Sequence, residues 1–184
     1  MYYAGIGSRS TPREVLDQMV NIARRLFVLG YTLRSGGADG ADSAFERGAG
    51  NRKQIFIPWP GFNGRYARND GTVFSTVSDA ALEMAARYHP AWNRCSPGAK
   101  RLHARNCYQV LGLDLSTPAE FVVCWTPSAA REGGTGQALR IARAWDIPIY
   151  DLRKPGDLFR ILDFITTTEE QQNEMRIMGA YPVD

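Results

Sequence analysis

The 184 residues are 44% hydrophobic and 22% charged, enough apolar side chain for one domain that buries about 70% of its unfolded surface, which excludes a disordered chain and a multidomain enzyme. The formal net charge of +3 is too small to require a nucleic-acid partner by itself, and leaves room for a local basic face. Glycine is in excess, 18 residues or about 10% against an average near 7%, and it clusters in short motifs that call for tight loops.

No apolar run approaches the roughly 18 residues that span a bilayer, and the opening MYYAGIGSR lacks a charged segment leading into an apolar one. A soluble, cytoplasmic protein with no membrane partner is expected. Cys95, Cys107 and Cys124 are odd in number and lack C-x-x-C spacing, so neither a disulfide framework nor a structural zinc site is expected, and a reducing compartment suits them.

Tyr2–Gly7 (YYAGIG) reads as a buried strand ending in a turn. Thr11, Pro12 and Glu14 then form a T-P-x-E start signal, and Val15, Met19, Ile22, Leu26 and Leu29 recur at helical spacing up to Gly30, which predicts a helix over Pro12–Leu29. Tyr31–Ser35 is a second strand, running into the loop Gly36–Asp42 and a short helix near Ser43–Arg47. Ile55–Trp59 is a third strand, stopped by prolines, and Gly61–Gly71 a long loop. Helices follow over Val77–Tyr88 and Pro97–Leu111, then a strand at Phe121–Trp125 and a glycine loop over Thr126–Gly136. A helix over Gln137–Trp145, a fifth strand at Ile147–Tyr150 and a last helix near Asp157–Ile165 complete the pattern. Residues 1–165 are expected to form a single domain, and residues 166–184 a polar tail or arm.

Apolar strands alternating with helices predict a doubly wound, Rossmann-like α/β fold: a mostly parallel sheet of about five strands with helices on both faces. In such sheets ligands sit beyond the carboxyl ends of the strands, where the strand order reverses, and three glycine-bearing loops leave strand ends here. They are expected to converge on one crevice.

Gly7, Ser8 and Arg9 at the mouth of the first strand offer backbone donors, a hydroxyl and a guanidinium, a set suited to an anion; the alternative is a tight turn with Arg9 in water. In Ser35–Asp42 (SGGADGAD), Gly36 and Gly37 permit close backbone approach, while Asp39 and Asp42 either accept ribose hydroxyls or cap the next helix. Gly133, Gly134, Thr135 and Gly136 sit at a helix N-terminus, where unpaired N–H groups favour phosphate. Neither a Walker A loop nor G-x-G-x-x-G is present, which disfavours a magnesium-dependent NTPase and an ordinary dinucleotide site. Arg94, Lys100, Arg101, His103 and Arg105 make a basic stretch, read as a solvated helix face, with Arg105 kept as a candidate ligand contact and Asn106 beside it a residue to watch. His103 and Cys107 are four apart but lack a third metal ligand, so no metal and no cofactor is expected. With two histidines in the chain, acid–base work would fall to Glu132 or Asp39.

The motifs G-I-G-S-R, S-G-G-A-D-G-A-D and G-G-T-G together resemble those of the SLOG superfamily, which holds the DprA/Smf DNA-processing proteins and the LOG phosphoribohydrolases. The resemblance spans roughly Tyr2–Leu152 and is to the DprA-like branch, as a compact member. It implies a Rossmann-like domain that binds nucleotides or nucleic-acid phosphates through Gly7, Ser8, Arg9, Gly36, Gly37 and the Gly133–Gly136 loop. Laying the LOG motif P-G-G-x-G-T-x-x-E on this loop puts Glu132 at the Pro, Gln137 at the Thr and Arg140 at the catalytic Glu. The expected function is therefore binding of a nucleotide or nucleotide derivative. One alternative is single-stranded DNA binding, with Arg9, Arg65, Arg68, Arg101 and Arg105 on phosphates and Trp59, Phe62 or Tyr66 stacking bases. The other is a LOG-like hydrolase that cleaves an N-glycosidic or phosphate bond. A homo-oligomer is expected.

Overall fold

A computed structural model of the chain describes residues 1–127 and 133–178. Its strands are β1 (Tyr2–Gly7), β2 (Thr32–Ser35), β3 (Lys53–Phe56), β4 (Val73–Phe74), β5 (Phe121–Trp125) and β6 (Ile149–Asp151). Its helices are α1 (Arg13–Val28), α2 (Ala41–Gly48), α3 (Asp79–Tyr88), α4 (Pro97–Leu111), α5 (Gly133–Ala144) and α6 (Pro155–Ile177). All pairings are parallel, in the order β4-β3-β2-β1-β5-β6, so the sheet has six strands rather than about five. The additional strand, β4, pairs only Val73 with Ile55 and Phe74 with Phe56, too short a run to leave a periodic signal in the sequence. The chain winds outward from β1 through β4, then crosses back to β5 on the other side of β1, which places the switch point between the carboxyl ends of β1 and β5.

Alternation along the central strands builds two cores. Tyr3 and Val123 join Met19, Leu26, Phe45 and Ile161 under α1, α2 and α6, whereas Ala4, Ile6 and Val122 join Ala81, Tyr108, Leu111 and Ile141 under α3, α4 and α5. Because β1 and β5 are covered on both faces, their sequences read as continuous apolar runs. From His103 to Leu111, α4 is buried on every side between the sheet and its neighbours α3 and α5.

Three local features differ from the sequence expectation. The T-P-x-E signal does not form a capping box: the Thr11 hydroxyl donates to the Ser8 carbonyl at 2.7 Å, and no side chain caps α1. The Gly133–Gly136 run is the first turn of α5 rather than a loop before it. The last helix continues to Ile177, where Arg25 on α1 donates to both carboxylate oxygens of Glu169 (2.9 and 2.6 Å) and to Thr166 Oγ1 (2.9 Å). Among the described residues, no helix is long and apolar enough to cross a membrane.

Candidate functional site

The first two glycine-bearing loops form one unit. Ser8 N donates to Trp125 O at 3.1 Å, tying the end of β1 to the end of β5, and the Ser8 carbonyl accepts from Thr11 N and from Ala41 N at 3.3 Å. The neighbour Gly40 has φ +77°, and a Cβ there would stand 2.6 Å from Ser8 O, so only glycine lets the α2 entrance pack against the β1 loop.

Beneath this unit runs a buried polar stripe on α4: His103, Arg105, Asn106 and Gln109. Arg105 Nη1 lies 3.5 Å from Asp42 Oδ2, which also accepts from Ala38 N at 3.3 Å. Burial raises the Asp42 carboxyl above the usual carboxylate range and lowers the Arg105 guanidinium, and the attraction between the two offsets part of each shift. A guanidinium keeps its proton in proteins, so Arg105 is the fixed buried charge and Asp42 its counter-ion. Gln109 is oriented with its amide oxygen accepting from Gly36 N (2.7 Å) and Arg105 Nη1 (3.0 Å) and its nitrogen donating to Asn106 Oδ1 (3.0 Å). Asn106 Nδ2 in turn donates to Gly134 O at 3.0 Å and to Gln137 Oε1 at 3.3 Å. One network therefore joins the β2 loop, α4 and the first turn of α5.

Above the network, at the switch point, opens a cavity of about 460 Å³. Its wall comprises Gly7, Ser8 and Arg9 from the first loop, Asp42 from α2, Gly133, Gly134 and Thr135 from α5, and Arg105, Asn106 and His103 from α4, with Ile6, Ala99 and Leu102 supplying apolar surface. Arg9 is exposed at the mouth and has no ion-pair partner among the described residues. Its charge adds to that of Arg105 at the floor.

The remaining sequence candidates lie elsewhere. Ser35 is fully buried and donates to Gly5 O at 2.7 Å, Gly36 lies under Arg105, Gly37 packs on Ile55 and Arg65, and Gly136 is buried within α5. Asp39 is exposed outside the cavity wall, where its carboxylate accepts from Asn63 Nδ2 at 2.9 Å. Neither Asp39 nor Asp42 caps α2, whose N-cap is Gly40 without a side-chain bond. Glu132 and Arg131 lie outside the described residues.

The solvated-face reading of the basic stretch is corrected at Arg105, which is 6% exposed because it lies against Gly36, Asp42 and the Phe62 ring; Arg101, one turn earlier, is exposed and donates to Pro58 O at 3.0 Å. Nor do His103 and Cys107 face each other as a ligand pair. The Cys107 thiol points to the carbonyls of Ala81 and His103 (both 3.7 Å) and is pushed up to about 12 by burial, while the His103 ring lies 4.2 Å from that of His89. Burial, then the neighbouring His89, depresses His103 to about 4. Gln109 and Asn63 were not singled out by sequence reading. A signal for Gln109 exists in retrospect: His103, Asn106 and Gln109 recur every third residue beside Val110 and Leu111, a polar stripe where an exposed face would carry charges.

No family model and no curated protein matches the chain. Among solved structures, DNA processing protein A from Helicobacter pylori, studied for its single-stranded DNA binding mode, matches with a TM-score of 0.59 at 19% identity, over 93% of this chain and 81% of that one. The six-stranded parallel sheet and its switch point thus give this chain a fold similar to that of DNA processing protein A.

Proposed function

We propose that the switch-point cavity binds a nucleotide or nucleotide derivative by its phosphate. The observation that carries this reading is the convergence of the exposed Arg9 guanidinium, which has no ion-pair partner among the described residues, and the first turn of α5 on one cavity wall. Helix N-termini present unpaired N–H groups and the positive end of a dipole, and a guanidinium binds phosphate in a fork. Ser8 adds a hydroxyl, and Ile6, Ala99 and Leu102 offer apolar contact for a base. The volume suits a ligand of this size. Asp42 serves the site as the counter-ion that holds Arg105, in place of the direct sugar contact expected from sequence. Thermal-shift and calorimetric titration against mononucleotides, dinucleotides, cyclic nucleotides and ADP-ribose tests the reading, since a ligand at about 100 times its Kd stabilises the native state by roughly 2.7 kcal/mol. No response to any of them overturns it. Chromatography of the bound nucleotide after long incubation separates binding from hydrolysis.

Single-stranded DNA is a second reading, supported by the DNA-binding structural neighbour. The side chains free for it are fewer than the sequence offers. Arg65 pairs with Glu46 at 2.7 Å, Arg68 pairs with Asp70 at 2.9 Å, Arg105 is buried with Asp42, and Phe62 is buried against Trp59, which leaves Arg9 and Arg101, neither ion-paired among the described residues, and the exposed Tyr66. Contact with several phosphates predicts a loss of affinity of about tenfold or more between 50 and 200 mM salt. Arg101→Glu should then weaken oligonucleotide binding and spare mononucleotide binding.

A further inference from the structure

His89, Cys95 and His103 come from three separate pieces of chain and meet beside the cavity. His89 closes α3, Cys95 follows a single 3-10 turn at Trp92–Arg94, and His103 lies on α4, where it forms part of the cavity wall. Their donor atoms all lie within 4.8 Å of one another. Cys95 Sγ stands 3.7 Å from His89 Nδ1, and the two imidazole rings are 4.2 Å apart at a tilt of 55°. A tetrahedral zinc ion, with Zn–S about 2.3 Å and Zn–N about 2.1 Å, needs N···S and N···N separations of roughly 3.6 and 3.4 Å. The cluster is within a small side-chain adjustment of that geometry.

The surroundings set the donor states. His103 Nδ1 donates to Gln137 Oε1 at 3.3 Å, which leaves Nε2 with a lone pair for the cluster. Gln137 is fully buried and is itself held by Asn106. Metal-binding histidines use this kind of outer support to fix tautomer and ring orientation. His89 Nδ1 accepts from Ala91 N at 3.2 Å and is therefore unprotonated, with Cys95 Sγ 3.7 Å away, and a metal would take that lone pair in place of the amide. Arg140 is a nearby positive charge to both imidazoles, which a thiolate at Cys95 offsets.

We infer that His89, Cys95 and His103 form a binding site for one zinc ion, with two imidazole nitrogens and a thiolate as ligands and a fourth position open. Two imidazoles and one thiolate suit a borderline-soft divalent ion and do not suit magnesium or calcium, which take oxygen ligands. Binding releases the Cys95 thiol proton to solvent and leaves the centre with a net charge of +1, carried by Zn²⁺ and one thiolate. The inference stands apart from the nucleotide reading and does not depend on it.

The test uses the full chain stripped by a chelator and titrated with Co²⁺ as the spectroscopic stand-in for zinc. One equivalent should bind with thiolate-to-cobalt charge transfer and strong tetrahedral bands, and Zn²⁺ should displace it. Cys95→Ser should abolish the charge-transfer band, Cys124→Ala should retain it, and His103→Gln should weaken binding by at least the roughly tenfold that an outer-shell change costs. A thermal scan of each variant checks folding and gives a second readout: Zn²⁺ should raise the Tm of the unaltered chain and not that of Cys95→Ser. Absence of a one-equivalent complex, a charge-transfer band that survives Cys95→Ser, or an equal Tm rise in both proteins overturns the proposal.

Discussion

Gly36 and Arg105 share one space: a Cβ at position 36 would overlap the Arg105 guanidinium, and the Gly36 N–H is satisfied by Gln109, which also accepts from Arg105. The second glycine motif is thereby explained by a side chain on a helix nearly seventy residues away. Gly36→Ala should destabilise the protein by the roughly 1–3 kcal/mol of an overpacked core, a Tm decrease of about 2–12 °C for a chain of this size. In an Arg105→Met background the same change should cost less, with a coupling of about 0.5–3 kcal/mol in a double-mutant cycle. Equal costs in both backgrounds would show that the two residues do not compete for space.

Arg9 is exposed and its guanidinium is free of ion pairs among the described residues, so its removal should leave the fold alone. Arg9→Gln should change stability by no more than about 0.5 kcal/mol. It should weaken a phosphate-bearing ligand by about 10- to 100-fold, the worth of a charge-assisted bond of roughly 1.5–3 kcal/mol. Calorimetry on both proteins reads the two effects separately. Unchanged affinity would remove Arg9 from the proposed phosphate site.

Asn106 donates from one amide nitrogen to Gly134 O and Gln137 Oε1. Asn106→Asp keeps the shape and turns both contacts into oxygen facing oxygen, in a buried setting. A destabilisation of about 1–3 kcal/mol is expected from denaturant titration, the penalty for buried polar groups left without partners. Hydrogen exchange should quicken in the first turns of α5, because Asn106 is one of the side chains, with His103, that tie that turn to α4. Exchange unchanged there would show that the α5 entrance is held by other contacts.

The pairing of Arg25 with Glu169 gives stability a pH dependence of known sign. Its hydrogen bonds to Arg25 hold Glu169 below the usual glutamate pKa of 4.5, so the contribution is present above that value and is lost as pH falls through the lower, folded-state pKa. The pair is about one-third exposed on both sides, which limits it to roughly 0.5–1 kcal/mol. The stability difference between the protein and Glu169→Gln should be constant from neutral pH down to about pH 5 and shrink below that. A difference that grows on acidification would contradict the assignment.

Local signals were sufficient for elements with an unbroken apolar run or clear end signals. Phe121–Trp125 and Pro97–Leu111 have the same limits in sequence and structure, because a strand covered on both faces is an unbroken apolar run and a helix of fifteen residues with Ser96 and Pro97 at its start carries its own boundary signals. The alternation of such elements determined a parallel, doubly wound sheet, and the rule that ligands sit at strand carboxyl ends placed Gly7, Ser8, Arg9, Gly133, Gly134 and Thr135 on one side of the molecule. Tertiary structure alone decided the rest. The pair β3–β4 exists only because residues 73 and 74 reach a neighbouring strand, and α6 runs past Ile165 where Arg25 meets Glu169. Arg105 looks like a surface arginine until Gly36 makes room for it beside Asp42 and Phe62. His89, Cys95 and His103 share no recognisable spacing, because their meeting depends on how the α3–α4 connection folds back, a path that no short-range pattern of side chains encodes.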